Sequence, residues 1–338
     1  MRFEFYNAGL EDLPKLSVDG TVSNSIHFSH WEGNRTPAEV KADTSTEIAL
    51  NLVASPNKKK LTRGLELVTN NHFDTDGVLS VWIVLNGERA LELREKLIPA
   101  AEAGDFSEFT TVDAVRASIT IQGSDQASAN ETSYPLAQQL AGQAVPDDAR
   151  AYELVLPEVE RVLTKTEVYE PLWRKAWEQI VAAIESFEKG ASIVEEYPDA
   201  SLSLIKLAPE SFSNTGFNPT RHAAPFTAIS RYAHGRLFLI ATPLNEGWAY
   251  RIDYPYYSWA ETLVRPHIER HDFSSLVSEL NEMEPGREGF WRLDKNEMTS
   301  AVKFVNKEAL LAPSRLSPDE VAKVFRARLI ASQKAVAV

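Results

Sequence analysis

The stretch LVTNNHFDTDGVLSVWIVL, residues 67–85, decides the fold. It joins a short β-type apolar run to a longer helix-type apolar run, with His72, Asp74 and Asp76 at alternate positions between them. In extended chain, residues i, i+2 and i+4 project to one side, so HFDTD is expected to present all three side chains together. Two carboxylates held that close repel each other unless one takes a proton or a cation sits between them. Imidazole and carboxylate together suit Mn²⁺, Fe²⁺ or Zn²⁺. Gly77 removes side-chain bulk where the chain turns into the helix, whose first N–H groups would face the metal and could hold a phosphate. The ordinary alternative is a polar loop with one Asp as N-cap. It accounts for one aspartate but not for all three polar residues.

Outward from this stretch, LELVTNN (65–71) reads as a strand and GVLSVWIVL (77–85) as a helix start. ERALELREKLIPAAEA (88–103) reads as a second helix with Gly104 at its C′ position. VRASITIQG (115–123) reads as a further strand, and strand–helix–strand order predicts an α/β layer with mainly parallel strands. Upstream, TVSNSIHFSHW (21–31) alternates like a strand. Thr36-Pro37 predicts an N-cap and first position for a helix through AEVKADTSTEIALNLVAS. Residues 124–150 are polar and read as a loop with one short helix, followed by helices at 147–165 and 167–189. From about 193 the texture changes. SLSLIKLA, GRLFLIATPL and WAYRIDYPYY read as strands, with helices expected at 257–267 and 272–283 and a closing hairpin of FWRLDK and SAVKFVN. The expectation is an α/β fold: a parallel-sheet domain over 1–192 that carries the metal site, and a smaller α+β domain over 193–338 that closes a cleft over it.

The length of 338 residues exceeds what one hydrophobic core usually serves, in keeping with two domains. There is no cysteine, which excludes disulfides, thiolate metal sites and cysteine nucleophiles and suits a reducing compartment. The first residues, MRFEFYNAGLEDLPKL, are acidic where a signal peptide needs an apolar run. No stretch approaches the roughly 18 apolar residues of a membrane span. A net charge of −13 repels a nucleic-acid backbone but is no obstacle to a small phosphorylated substrate held through a metal. The expected setting is cytoplasmic, without membrane or extended nucleic acid, and a homodimer is left open. The phosphate-loop, nucleophile-elbow and dinucleotide-binding signatures are all absent.

Strand, H-x-D-x-D-G, then apolar helix resembles the first motif of the DHH phosphoesterase superfamily, whose members use two Mn²⁺ ions to hydrolyse phosphodiesters or phosphoanhydrides. The resemblance implies a DHH-like fold for the N-terminal domain and a divalent metal, Mn first, with Mg, Fe or Zn as alternatives. It implies His72, Asp74 and Asp76 as ligands, and AAEAGDF offers Asp105 for the second motif. The Asp-His-His of the third motif is absent, as is a C-terminal Gly-Gly-Gly-His. A likeness over most of the chain is to an uncharacterised bacterial family known as a domain of unknown function. It is carried by SHWEGNRTP (29–37), ADTSTEIA (42–49), NHFDTDGVLSVW (71–82), AAEAGDF (100–106) and the run from YRIDYPYYSW to FWRLDK.

If other residues replace the missing ligands, His30, Asp43 and Asp105 are the expected substitutes, with Asp76 and His30 as the catalytic candidates. Each has an ordinary alternative. His30 could be a ring packed beside Trp31, Asp43 a surface carboxylate or local cap, and Asp105 a solvated residue after the helix stop. Arg221 and His222, in NPTRHAAPFTAISR (218–231), are candidates to bind a substrate phosphate, Arg221 in bidentate fashion. The expected activity is metal-dependent phosphoester hydrolysis. A haloacid-dehalogenase-type phosphatase is the rival, with Asp74 as nucleophile and Asp76 as acid/base. A non-catalytic binding protein with a decayed metal site is the third reading.

Overall fold

The computed structural model describes residues 1–124, 134–208, 224–286, 288–294 and 298–336. The chain divides into two compact units, Met1–Trp177 with Trp259–His267, and Glu178–Ser258 with Ile268–Val338. The divide therefore falls earlier than the 192/193 expected from sequence, and residues 259–267 return to the first unit.

In the first unit β1 (Arg2–Phe3), β2 (Lys15–Val18), β3 (Ser25–Phe28) and β4 (Leu67–Thr69) form a sheet of order β1-β4-β2-β3, with every pair parallel. All four residues of β2 and all three of β4 are buried, as expected of parallel strands covered on both faces. β2 even buries Lys15. Its Nζ donates to the carbonyls of Leu10, Glu11, Leu13 and Asn24 at 2.9–3.3 Å, so the charge sits in a cage of backbone oxygens.

The helices of this unit are α1 (Ser45–Ala54), α2 (Lys58–Leu61), α3 (Thr75–Asn86), α4 (Glu88–Leu91), α5 (Arg94–Asp105), α6 (Val112–Gln122), α7 (Pro135–Ala141), α8 (Asp148–Val155) and α9 (Val159–Thr164), followed by α10 (Glu170–Glu188). α3 is buried continuously from Thr75 to Ile83 and packs against α1 and α5. A helix apolar on every side belongs inside, which is what VLSVWI encodes.

Several expectations need correction. VRASITIQG is not a strand but part of α6. Its N-cap Thr111 accepts from the Ala114 amide, and its β-branched residues are buried as helix. The helix expected from Pro37 begins instead at Ser45, capped by Thr44, while Thr36 turns its hydroxyl to the carbonyl of Ser29. Gly104 is not a C′ residue. It lies in the last turn of α5, and a Cβ there would stand 2.7 Å from Thr75 Cβ and 3.0 Å from Gln122 Oε1. Gln122 Oε1 is itself occupied by the Thr75 amide. Gly104→Ala is therefore expected to overpack the α3–α5 contact and destabilise by about 1–3 kcal/mol, read as a lower urea midpoint. An unchanged midpoint would show that α5 can move off α3 freely.

The second unit is a six-stranded sheet: β5 (Ile193–Tyr197), β6 (Leu202–Lys206), β7 (Leu237–Leu244), β8 (Gly247–Asp253), β9 (Phe290–Leu293) and β10 (Ser300–Val305), in order β5-β6-β7-β8-β10-β9. Only β6–β7 is parallel. Alternate residues such as Leu202, Leu204, Tyr250, Ile252, Val302 and Phe304 form its core with Leu276, Leu280 and Phe325. Those last three lie on α12 (Ser274–Met283) and α13 (Pro318–Val336), and α11 (Phe226–Ser230) precedes β7. The strands read from SLSLIKLA onward and the closing hairpin fall here. The helix expected at 257–267 does not form beyond a short 3-10 turn at Tyr256–Trp259. The amides of Leu263, Val264 and Arg265 point to the carboxylate of Asp43 instead of to preceding carbonyls. No helix among the described residues is long and apolar enough to cross a membrane.

Candidate metal centre

The carboxyl ends of adjacent parallel strands are where open α/β sheets place ligands. Here β4, β2 and β3 lie side by side, and each feeds the same spot. Asp19 follows β2 directly, His30 lies just beyond β3, and His72 and Asp74 lie in the turn after β4. Asp76 comes from the first turn of α3 and Asp105 from the end of α5.

These six residues form two groups with Asp19 in both: Asp19, His30, Asp76 and Asp105, and Asp19, His72 and Asp74. The ligating atoms within each group lie within 4.8 Å of one another. His30 Nε2 is 3.1 Å from Asp105 Oδ2, 3.5 Å from Asp19 Oδ1 and 3.7 Å from Asp76 Oδ2. His72 Nε2 is 2.8 Å from Asp19 Oδ2 and 3.0 Å from Asp74 Oδ2. Asp19 thus turns one oxygen to each group. The inner group is sealed, with the side chains of His30, Asp19 and Asp76 fully buried, whereas those of His72 and Asp74 are 28% and 27% exposed. The centre opens on the outer side.

Local structure fixes each side chain. Asp19 sits at φ 61°, a left-handed conformation that a non-glycine residue adopts only under constraint, and such positions gather at functional sites. Ser45 Oγ donates to Asp19 Oδ1 at 3.1 Å. Asp76 accepts the amides of Ser45 and Thr46 at 2.7 and 2.6 Å, so the start of α1 is anchored on it. Asp74 is the N-cap of α3 and accepts from the Gly77 amide at 2.8 Å through Oδ1, leaving Oδ2 for the group. Asn70 takes the amides of Gly20 and Asn71 and donates to Tyr152, whose hydroxyl donates to the carbonyl of His72.

The histidines are oriented alike. His30 Nδ1 lies 2.6 Å from the carbonyl of Asp43, an oxygen that only accepts, so Nδ1 carries a proton and Nε2 is the nitrogen left to face a cation. His72 Nδ1 donates to Asn71 Oδ1 at 3.0 Å with the same consequence. His30 Nε2, His72 Nε2, Asp19 Oδ2 and Asp105 Oδ2 are all buried atoms that find no partner outside the two groups and face only one another.

The electrostatics show how the set balances its charge with no cation present: the histidines take up protons that a bound cation would displace. Burial and then the neighbouring Asp74 and Asp76 raise Asp105 well above the carboxylate range. Burial and then Asp19 push Asp76 up to about 7. Burial would lower His72, but Asp74 and Asp19 outweigh it and push the ring up to about 12. Burial likewise opposes the charge on His30, and Asp105 and Asp19 overcome it. Burial would raise Asp19, yet His72 and His30 hold it below the usual range. Four buried or half-buried carboxylates exceed what two imidazoles neutralise comfortably, and they match the charge of two divalent cations. The donor set, imidazole nitrogen and carboxylate oxygen, is that of first-row divalent metals.

The structure thus brings together His72, Asp74, Asp76, Asp105 and His30, but not in the way the sequence implied. HFDTD is not an extended face. Asp74 starts α3 at Thr75, so His72 and Asp74 serve the outer group and Asp76 the inner one. Asp43 belongs to neither group, because its carboxylate is taken up by three amides and Arg265. Arg221 and His222 lie outside the described residues. Asp19, Asn70 and Tyr152 were not singled out from sequence. The available signal for Asp19 was the Asp-Gly pair directly after the short run KLSV.

A parallel sheet, a second mixed sheet and a buried Asp/His group define an α/β protein with a candidate divalent-metal centre. The chain belongs to a family whose description is "Family of unknown function (DUF6687)", matched over residues 2–337, in agreement with the family resemblance read from the sequence. No curated protein matches the sequence. Among solved structures the chain is similar to one described as "pGpG-specific phosphodiesterase - PggH from Vibrio cholrae", at 13% identity and a TM-score of 0.34, covering 80% of this chain and 81% of that one.

Proposed function

We propose that this protein is a divalent-metal-dependent phosphoesterase acting on a small phosphorylated substrate, with two metal positions of the DHH type. The observation that supports this best is the pairing of two ligand groups through Asp19, with buried atoms of Asp19, His30, His72 and Asp105 that face only one another converging on them. His30, Asp76, Asp105 and Asp19 would hold the inner ion, and His72, Asp74 and Asp19 the outer one. Such ions supply Lewis-acid polarisation of a phosphoryl oxygen and acidify water. The exposed side of His72 and Asp74 is where substrate would enter; the α3 amides do not serve it, because those of Thr75, Gly77 and Val78 are taken by Gln122 and Asp74. His30 then serves as a ligand rather than a proton carrier, because its Nδ1 proton is committed to the Asp43 carbonyl. Mn²⁺ is the metal that the likeness to the DHH phosphoesterases implies; the donor set itself suits Fe²⁺ or Zn²⁺ equally, and Mg²⁺ is a further alternative.

The haloacid-dehalogenase reading fits less well. It leaves His72 idle, whereas His72 Nε2 lies within 3.0 Å of two carboxylates. It also needs Asp74 free as a nucleophile, whereas one of its oxygens caps α3.

The test is metal loading. Protein stripped by chelator and then given Mn²⁺ at about 100 times the Kd of each position should gain about 2.7 kcal/mol per bound ion, read as a rise of several degrees in melting temperature, and should acquire phosphodiesterase activity on a chromogenic diester. No shift and no bound metal would end the phosphoesterase reading. A shift without hydrolysis of any phosphoester would leave a metal-dependent binding protein.

A further inference from the structure

Residues 259–267 reach the first unit from far along the sequence and lie against the ligands of the inner metal position. Ala260 forms a bridge with Trp31, and the Glu261 amide donates to the carbonyl of His30 at 2.7 Å. The Glu261 carboxylate accepts from the Gly33 amide and the Asn34 side chain. The segment's most connected side chain is Arg265, only 15% exposed. Its Nη1 donates to Asp43 Oδ2 at 2.8 Å, its Nη2 to Glu102 at 2.7 Å and to Glu108 at 2.6 Å, and its Nε to Glu108 at 2.8 Å. The guanidinium lies 4.7 Å from the centroid of the Phe106 ring.

Each partner leads to an inner ligand. Asp43 is the residue whose carbonyl fixes Nδ1 of His30. Glu102 and Glu108 flank Asp105 at the end of α5, and Phe106, the next residue, packs on the His30 ring at 5.7 Å between centroids. A guanidinium with a fixed fork can hold these carboxylates in one geometry, which a lysine point charge cannot. No partner of Arg265 belongs to the outer group.

We propose that Arg265 is the positioning residue of the inner metal position. Through Asp43 it sets the ring of His30, and through Glu102 and Glu108 it sets the backbone that presents Asp105. The proposal rests on the two-position reading above. It goes further by assigning a supporting role to a distant segment and by making that role selective for one ion.

The experiment is Mn²⁺ titration of the full chain by calorimetry after chelator treatment, in wild type and in an Asp74→Asn background. Asparagine keeps the cap of α3, and that background leaves the inner set complete. Arg265→Lys and, separately, Asp43→Asn should each weaken the inner ion 10–100-fold, the range typical of lost supporting contacts. The outer ion, read in the Asp74-intact chain, should stay within about threefold of wild type on the same scale. The imidazole ¹H–¹⁵N spectrum of metal-free protein should show the His30 Nδ1–H losing its hydrogen bond to the Asp43 carbonyl, a change that a general loss of stability would not produce. Val264→Ala, at an 89% exposed position of the same segment, should change nothing. Asp43→Asn is nearly isosteric and decides the matter if Arg265→Lys does not fold. Folded variants that bind the inner ion as wild type does would overturn the proposal and leave the metal centre standing. Wild-type protein that binds no divalent ion would overturn both.

Discussion

Asp19→Asn should abolish both metal positions at once. Every other ligand belongs to one group, but Asp19 supplies one oxygen to each. Losing a supporting contact costs 10–100-fold in metal affinity, so losing a shared ligand should exceed 100-fold at both positions. Activity that depends on both ions should fall to background. Asparagine is the right replacement because Asp19 sits at φ 61°, where asparagine is among the few residues tolerated. Its side-chain oxygen can still take the Ser45 hydroxyl. The change therefore tests the charge rather than the fold. Metal content by mass spectrometry at fixed free Mn²⁺ should drop from two ions toward none, whereas Asp74→Asn and Asp105→Asn should each retain one. An Asp19→Asn protein that keeps one tightly bound ion would show that the two groups do not share it.

How much of this centre the sequence disclosed depends on how local each contribution is. His72, Asp74 and Asp76 stand within five residues, so their association was visible before any fold was known. Their geometry was not, because the reading needed extended chain through Asp76. Asp74 instead accepts the Gly77 amide and starts the helix at Thr75, and that one hydrogen bond divides the three residues between two groups. Asp19 was invisible for a different reason. It matters only because β2 lies between β4 and β3, an order set by long-range pairing. Asp43 shows the converse. A carboxylate in a polar stretch near the site looked like a ligand, but it accepts amides from residues 263–265, more than two hundred positions away. VRASITIQ misled through composition. Isoleucine, valine and threonine favour strands, yet α6 buries them on several sides, so no clean helical stripe shows in the sequence.

Gly77→Ala should weaken metal binding at least tenfold and destabilise the fold, although the substitution lies in a helix and propensity alone favours it. Alanine gains about 1 kcal/mol over glycine in a helix interior. Against that, a Cβ at residue 77 would stand 2.3 Å from Asn70 Nδ2, 2.7 Å from the Tyr152 hydroxyl and 3.0 Å from Asp19 Oδ2. None of these can retreat freely. Asn70 is fully buried and committed to the Gly20 and Asn71 amides and to Tyr152, and Tyr152 holds the carbonyl of His72. Overpacking of this kind costs about 1–3 kcal/mol. The displacement also runs straight into the turns that carry Asp19 and His72, so the outer ion should suffer first. The expected result is a lower urea midpoint together with a weaker outer position. A double-mutant cycle identifies the cause: Asn70→Ala removes the closest contact and the hydrogen bond that holds Tyr152 in place, so Gly77→Ala should then cost less, a failure of additivity. Additive effects would mean that the methyl acts through Tyr152 or Asp19 instead, and a stabilised Gly77→Ala protein with unchanged Mn²⁺ affinity would mean that the centre tolerates a side chain where the structure leaves none.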